Sequence, residues 1–361
     1  MSALPQPVLV VGTGLIGTSL ALALRRREVE VWLADRDAGA VAVATARGAG
    51  RPAEAAPDGF APGLVVVAVP PAVTADVVAD ALRRFPGAIV TDVASVKVPI
   101  HQALDVAGVD PTRYVGGHPM AGRETSGPAS ARADLLDDRP WVITPHTHAA
   151  PTAVQGVQEL ALAAGALPIL MPAGQHDRAV AVVSHTPQVV SSLLAARLLE
   201  SSEAEVAIAG QGLRDMTRIA ASDPTLWVEI LAANAGPVAD VLTALRADLD
   251  ELVAALGSIE RGGVQVVADA LRRGNAGRDR IPGKHGSATP PMVELPVAVR
   301  DTPGELGRLF AAVAETGVSI EDVRIEHVLG RPTGVVEISV AQVAAGSVAA
   351  ALRDDGWDVR G

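Results

Sequence analysis

A short stretch near the start of the chain leaves it little choice of fold. Pro7-Val8-Leu9-Val10-Val11 is a β-branched run without polar alternation, as a strand buried on both faces of a parallel sheet requires. It runs directly into Gly12-Thr13-Gly14-Leu15-Ile16-Gly17, and a helical pattern follows over residues 19–26. A second strand over 29–34 ends at Asp35, with Arg36 beside it. In this arrangement the first glycine makes the tight turn, the second lets backbone approach a pyrophosphate, and the third lets helix pack on strand. The helix N-terminus then offers unpaired N–H groups and a positive dipole end to the phosphates. Asp35 is placed to accept hydrogen bonds from ribose hydroxyls and to repel a 2′-phosphate, which favours NAD over NADP. Arg36 pulls the other way, since it could pair with such a phosphate.

Further βα units follow. Residues 64–69 form a continuous apolar strand stopped by Pro70-Pro71, and a helix is expected over 73–84. Residues 88–92 form the next strand, and Tyr114-Val115 reads as the end of another, with a glycine-rich loop after it. Strands over 141–144 and 167–170, with a helix from about Thr152 between them, complete this part. Ligands of open parallel sheets bind outside the carboxyl ends of the strands, so Val69, Pro70, Ser95 and His118 should rim one crevice. From about residue 172 the strand runs vanish. Val182, Val183, Val189, Val190, Leu193, Leu194 and Leu198 form an apolar helix with a kink expected at Pro187. Val238, Leu242, Leu245, Leu249, Leu252 and Leu256 continue at helical spacing, more apolar surface than one copy can bury, which predicts a homodimer. Residues 274–291, rich in Gly, Pro and Arg, read as a linker. A βαββαβ order then closes the chain. The expected organisation is a dinucleotide-binding Rossmann domain over 1–172, a helical substrate and dimerisation domain over 173–276, a linker over 277–291 and an α+β ferredoxin-like module over 292–361.

Composition excludes several functions. The 361 residues carry no cysteine, which removes disulfides, thiolate metal sites and cysteine nucleophiles. A formal charge of −11 with dispersed acidic groups argues against nucleic acid or an anionic membrane as partner. With no basic-then-apolar leader and no long apolar run, the expected location is cytoplasmic. Acidic residues are too scattered to nominate a metal site, and none is expected.

The residues that carry chemistry lie between these pieces. Gly116-Gly117-His118-Pro119-Met120-Ala121-Gly122-Arg123-Glu124 joins glycines, which let backbone approach a ligand closely, with a proline and a histidine, the side chain best suited to moving protons near neutral pH. Ser95 ends the neighbouring strand. Asp215 and Arg218 are either a local ion pair or part of an anion site. His185 and Gln188 share one helix face and either point into one pocket or belong to the core.

Taken together, Gly12 to Gly17, Asp92-x-x-Ser95-x-Lys97, Gly117-His118-Pro119-Met120-Ala121-Gly122-x-Glu124, Ser184-His185-x-Pro187 and Asp215-x-Thr217-Arg218-Ile219-Ala220 through Trp227 closely resemble the prephenate/arogenate dehydrogenases of tyrosine biosynthesis. The resemblance covers about residues 7–275. Asp301-x-Pro303-Gly304-x-Leu306 and Gly317-Val318-x-Ile320 resemble an ACT domain, an amino-acid-sensing module. The first resemblance implies oxidative decarboxylation of a cyclohexadienol. His118 would take the ring hydroxyl proton, Ser95 would hydrogen-bond that hydroxyl and orient His118, and Arg218 would pair bidentately with a substrate carboxylate. Asp215 would hold Arg218, and Glu124 would lie at the pocket edge. Gln188 stands where many prephenate-preferring relatives have a second histidine, so prephenate and arogenate both stay open. The second resemblance implies tyrosine feedback through Asp301, Gly304, Leu306 and Ile320. A non-catalytic NAD- or amino-acid-sensing regulator is the alternative of a different class.

Overall fold

The computed structural model describes residues 4–122, 125–281, 291–327 and 333–360. Two compact units divide the chain, residues 1–245 and 246–361.

The first unit is built on an eight-stranded sheet in the order β3-β2-β1-β4-β5-β6-β7-β8. Its strands are β1 (Val8–Val11), β2 (Val31–Ala34), β3 (Arg51–Pro52), β4 (Leu64–Val67), β5 (Ile89–Asp92), β6 (Tyr114–Pro119), β7 (Pro140–Pro145) and β8 (Leu167–Leu170). Helices α1 (Leu15–Arg25), α2 (Ala38–Ala46), α3 (Pro71–Arg84), α4 (Val98–Val106) and α5 (Pro151–Ala163) connect them. The apolar runs alternate between two cores, as a sheet covered on both faces demands. Val8, Val10, Leu64 and Val66 pack with Leu20 of α1 and Val157 of α5. Leu9, Val65, Val67 and Val90 pack with Val78 of α3 and Leu104 of α4.

The sheet is not wholly parallel. β7 runs antiparallel to β6, and β8 is parallel to β7. The residues between β6 and β7 carry no crossover helix, only the single 3-10 turn Pro128–Ser130 among the described ones, so the chain returns beside β6 in the opposite sense. β6 itself extends past the expected end at Val115, through Gly116, Gly117 and His118, with His118 opposite Val142. His118 is therefore a strand residue, not a loop residue. Helix α1 starts at Leu15, directly behind the second glycine rather than at residue 19.

The same unit contains α6 (Ala173–Val180), a π-turn at Ala181–His185, α7 (Thr186–Arg197), α8 (Glu203–Ala207), α9 (Gln211–Thr217) and α10 (Pro224–Ala233). The kink expected at Pro187 is realised as the π-turn just before it: proline offers no N–H, and the helix widens to carry the break. By length and composition alone the stretch Ala173–Glu200 could cross a membrane. Its buried residues include His176, Asp177, His185, Gln188 and Ser191, however, which are turned to the protein interior. The sheet and these helices fall within one compact unit. Helix α11 (Ala235–Leu256) is one uninterrupted helix of 22 residues and contains the division between the units.

In the second unit α12 (Gly263–Arg278) extends into the stretch expected as linker, and residues 282–290 lie outside the described ones. The remainder follows the expected βαββαβ order: β9 (Met292–Arg300), α13 (Glu305–Glu315), β10 (Asp322–His327), β11 (Thr333–Ala341), α14 (Gln342–Asp354) and β12 (Asp358–Val359). The strands form an antiparallel sheet in the order β10-β11-β9-β12. β11 buries every second residue, and Val336, Ile338 and Val340 meet Leu309, Val313, Val348, Leu352 and Trp357.

Candidate active site

The glycine turn has the shape its sequence implies. Gly12 sits at φ +103°, and a Cβ there would strike the Ala68 carbonyl. A Cβ on Gly17 would strike the Gly12 carbonyl, so this glycine is what lets α1 lie close to β1. A Cβ on Gly14 would meet nothing within 4 Å, so protein leaves the space before the helix N-terminus open. Asp35 stands at the carboxyl end of β2, and its Oδ2 accepts from the Thr13 N–H at 2.6 Å and the Thr13 hydroxyl at 3.0 Å. Oδ1 accepts from the Asp37 N–H at 3.0 Å. Burial pushes this carboxyl up, but those hydrogen bonds outweigh it and hold it below the usual carboxylate range. Arg36 is exposed beside it, and Val69 and Pro70 lie at the carboxyl end of β4. An ionised acid, an open glycine and a helix N-terminus fit a dinucleotide.

His118 is half-buried on β6, and its Nδ1 is 2.8 Å from His176 Nε2 on α6. The two glycines before it do not serve a ligand, as their sequence context suggests; they make room for protein. A Cβ on Gly116 would crowd Thr144 and Lys97, and one on Gly117 would meet the Asp92 carbonyl and the Trp141 indole nitrogen. Lys97 is fully buried there, pairs with Asp92, and donates to the Gly117 carbonyl at 2.7 Å. Asp92 also accepts from the Tyr114 hydroxyl at 2.7 Å and the Ala94 N–H at 2.8 Å. Ser95 lies on the turn between β5 and α4, at the same edge of the sheet as His118. No Ser95–His118 hydrogen bond is found among the described residues. The bond that orients the imidazole comes from His176 instead. Burial first, then the imidazole of His176 and the charge of Lys97, hold His118 well below the ordinary histidine value, so its imidazole is neutral at physiological pH.

Behind His176 stands Asp177, its Oδ1 2.7 Å from His176 Nδ1. Both are buried, and the Asp177 carboxylate also accepts from the Lys97 N–H at 2.9 Å and the Val98 N–H at 2.8 Å, at the start of α4. Burial raises this carboxyl, and its hydrogen bonds to His176, Val98 and Lys97 bring it below its usual range. Asn234, the C-cap of α10, gives one amide proton to the Asp177 carbonyl at 2.8 Å and faces His185 Nδ1 at 3.0 Å. His185 is therefore a neutral, hydrogen-bonded core histidine. Burial is the main cause that lowers it to about 4. Sequence reasoning missed His176, Asp177 and Asn234. The adjacent His-Asp pair at the start of the helical region was the available signal.

Gln188 is buried on α7, and its amide donates to the Ile219 carbonyl at 3.0 Å. It thus fixes the residue next to Arg218, which is exposed at the start of the 3-10 turn Arg218–Ala221. Asp215 is exposed on α9 and accepts from Gln211 Nε2 at 2.8 Å. An Asp215–Arg218 ion pair is not among those of the described residues. Glu124 lies outside the described residues. Asp301 and Gly304 occupy the β9–α13 turn, with Gly304 at φ +94°; Leu306 is exposed on α13, and Ile320 packs partly against the second core. Among the described residues no group of three or more His, Asp or Glu could hold a metal ion.

Comparison with known proteins agrees with this geometry. The family model described as "Prephenate dehydrogenase, nucleotide-binding domain" matches residues 20–170, and "Prephenate dehydrogenase, dimerization domain" matches residues 172–265. A protein of Streptomyces niveus described as a "Probable prephenate dehydrogenase" is 37% identical over 98% of this chain and 99% of its own. Among solved structures, the prephenate dehydrogenase of Aquifex aeolicus in complex with hydroxyphenyl propionate and NAD+ has a TM-score of 0.67. It is 27% identical and covers 76% of this chain and 100% of its own. The arogenate dehydrogenase of Synechocystis has a TM-score of 0.62 at 26% identity, covering 76% and 99% of the two chains.

Proposed function

The chain belongs to the prephenate dehydrogenase family, and we propose that His118 is the base in its NAD-dependent oxidative decarboxylation of prephenate to 4-hydroxyphenylpyruvate. The observation that carries this reading is a neutral imidazole fixed at the carboxyl edge of a sheet whose glycine turn is open to a dinucleotide. Bound NAD supplies the acceptor for the hydride that leaves the ring carbon bearing the hydroxyl. Gly12, Gly14, Leu15, Ile16 and Gly17 hold its pyrophosphate against α1, and Asp35 holds the adenine ribose. His118 takes the hydroxyl proton as that carbon is oxidised, and Ser95 hydrogen-bonds the same oxygen. Loss of the ring carboxylate as carbon dioxide aromatises the ring, so alignment is what the protein chiefly contributes. Arg218 binds a substrate carboxylate, with Gln188 steadying its backbone. His118→Asn tests the assignment: turnover should fall about 10²–10⁴-fold with NAD affinity intact, and near-wild-type kcat would remove His118 from this role.

One observation favours arogenate as a second substrate. Gln188 gives its amide nitrogen to Ile219, which leaves its oxygen able to accept from an ammonium group. Steady-state kinetics with both substrates, and with NAD against NADP, decide both questions. The exposed apolar side chains of Leu245, Leu249, Val253 and Leu256 along α11 support a homodimer through the helical region. The βαββαβ module supports an ACT assignment, with a tyrosine effector near Asp301, Gly304, Leu306 and Ile320. A tyrosine titration that leaves activity unchanged rejects that effector. A cytoplasmic location goes with this biosynthetic role.

A further inference from the structure

Resting on the reading of His118 as base, we infer that His176 and Asp177 are positioning residues that fix which nitrogen of His118 is basic. An ionised carboxylate only accepts, so His176 Nδ1, 2.7 Å from Asp177, carries a proton. In the neutral ring His176 Nε2 then has a lone pair, and the 2.8 Å contact with His118 Nδ1 is satisfied only if His118 Nδ1 carries the proton. The remaining nitrogen of His118, Nε2, is the bare one. The order Asp177–His176–His118 thus selects the Nδ1–H tautomer, the way a buried aspartate sets the tautomer of a catalytic histidine in serine hydrolases.

The arrangement is built firmly enough to act this way. Asp177 receives the Lys97 and Val98 N–H groups, its carbonyl is held by Asn234, and His176 is wholly buried. Neither residue reaches the open edge where substrate binds, so each acts through His118. During turnover the substrate O–H bond breaks and an Nε2–H bond forms on His118. The resulting imidazolium leans through Nδ1–H on His176, whose other proton stays with the Asp177 carboxylate. The ring carbon gives up its hydride, for which bound NAD would be the acceptor, the carboxylate departs as carbon dioxide, and the phenolate oxygen then takes the proton back from Nε2. No net proton is taken up or released at the base.

The test reads the tautomer directly and separately from activity. Long-range 1H–15N correlation on the full-length wild-type chain labelled at histidine, with His118 assigned by its loss in His118→Asn, should show a protonated Nδ1 and a bare Nε2 near pH 7.5. A protonated Nε2 there overturns the inference, even if His118 proves to be the base. The tautomer result stands if the protein turns over neither cyclohexadienol, in which case it is the assignment of function that fails. Kinetics supply the second arm. His176→Leu should lower kcat about 10²–10⁴-fold with little change in substrate KM. His176→Gln, which keeps an acceptor near the position of Nε2, should recover at least tenfold of that loss. Equal losses in both variants, or a His176→Leu kcat close to wild type, would overturn the positioning role.

Discussion

Replacing Lys97 with methionine tests whether the floor beneath His118 is held as described. The ammonium is fully buried, pairs with Asp92, and donates to the Gly117 carbonyl, one residue before His118. The thioether side chain would fill most of the volume but leave Asp92 a buried carboxylate with only the Tyr114 hydroxyl and the Ala94 N–H for company. Removing one member of a buried pair costs about 3–5 kcal/mol, a large part of the roughly 5–15 kcal/mol that keeps a domain folded. At about 1.4 kcal/mol per decade, hydrogen-exchange protection of β5 and β6 should fall by about two to three and a half orders of magnitude. Asp92→Asn in the Lys97→Met background removes the orphaned charge and should regain a good part of the loss. The same substitution removes a positive charge that helps keep His118 neutral, so the acid limb of kcat should move up toward the ordinary histidine value. Protection within tenfold of wild type, or a double variant no better than the single, would refute the account of this pair.

Three further outcomes follow from the geometry. Gly14→Val should raise the KM for NAD at least tenfold without lowering the melting temperature, because a side chain there meets no protein, whereas Gly12→Ala should lower it; equal melting losses would contradict the cradle. Folded His101 and His185 both sit at about 4, mainly through burial, against about 6.5 in an unfolded chain. Between those values the unfolded chain binds protons that the folded one refuses, so urea-unfolding stability should fall as pH drops from 6.5 to 4, and a flat profile would reject the burial argument. Leu249→Glu together with Val253→Glu should halve the mass seen by light scattering, and an unchanged mass would move the proposed dimer contact elsewhere.

What could be read in the sequence was local. Gly12 to Gly17 and Asp35 announce their structure because turn, helix start and acid are set by near neighbours. The partners of His118 were not, since His176 is 58 residues away and meets it only when α6 packs on the sheet edge. Gly116 and Gly117 were misread because nothing in their own segment reveals that Lys97 folds inward beneath them. The reversal of β7 was equally hidden, because strand direction depends on how the residues between β6 and β7 return. The sequence separates the sheet from the helices after it near residue 172, but it does not show the bonds of Asp177 to Lys97 and Val98 that tie the two together.

The π-turn at Ala181–His185 holds one residue more than an α-turn needs. Deleting one residue there, Val182 for example, would let it close to an ordinary α-turn while the helix beyond keeps its facing. Gln188 would stay on Ile219, and His176 and Asp177, upstream of the cut, would keep their places. Relatives of this chain should therefore tolerate the loss of one residue here, whereas the same loss inside α7 would turn the rest of that helix by roughly 100°.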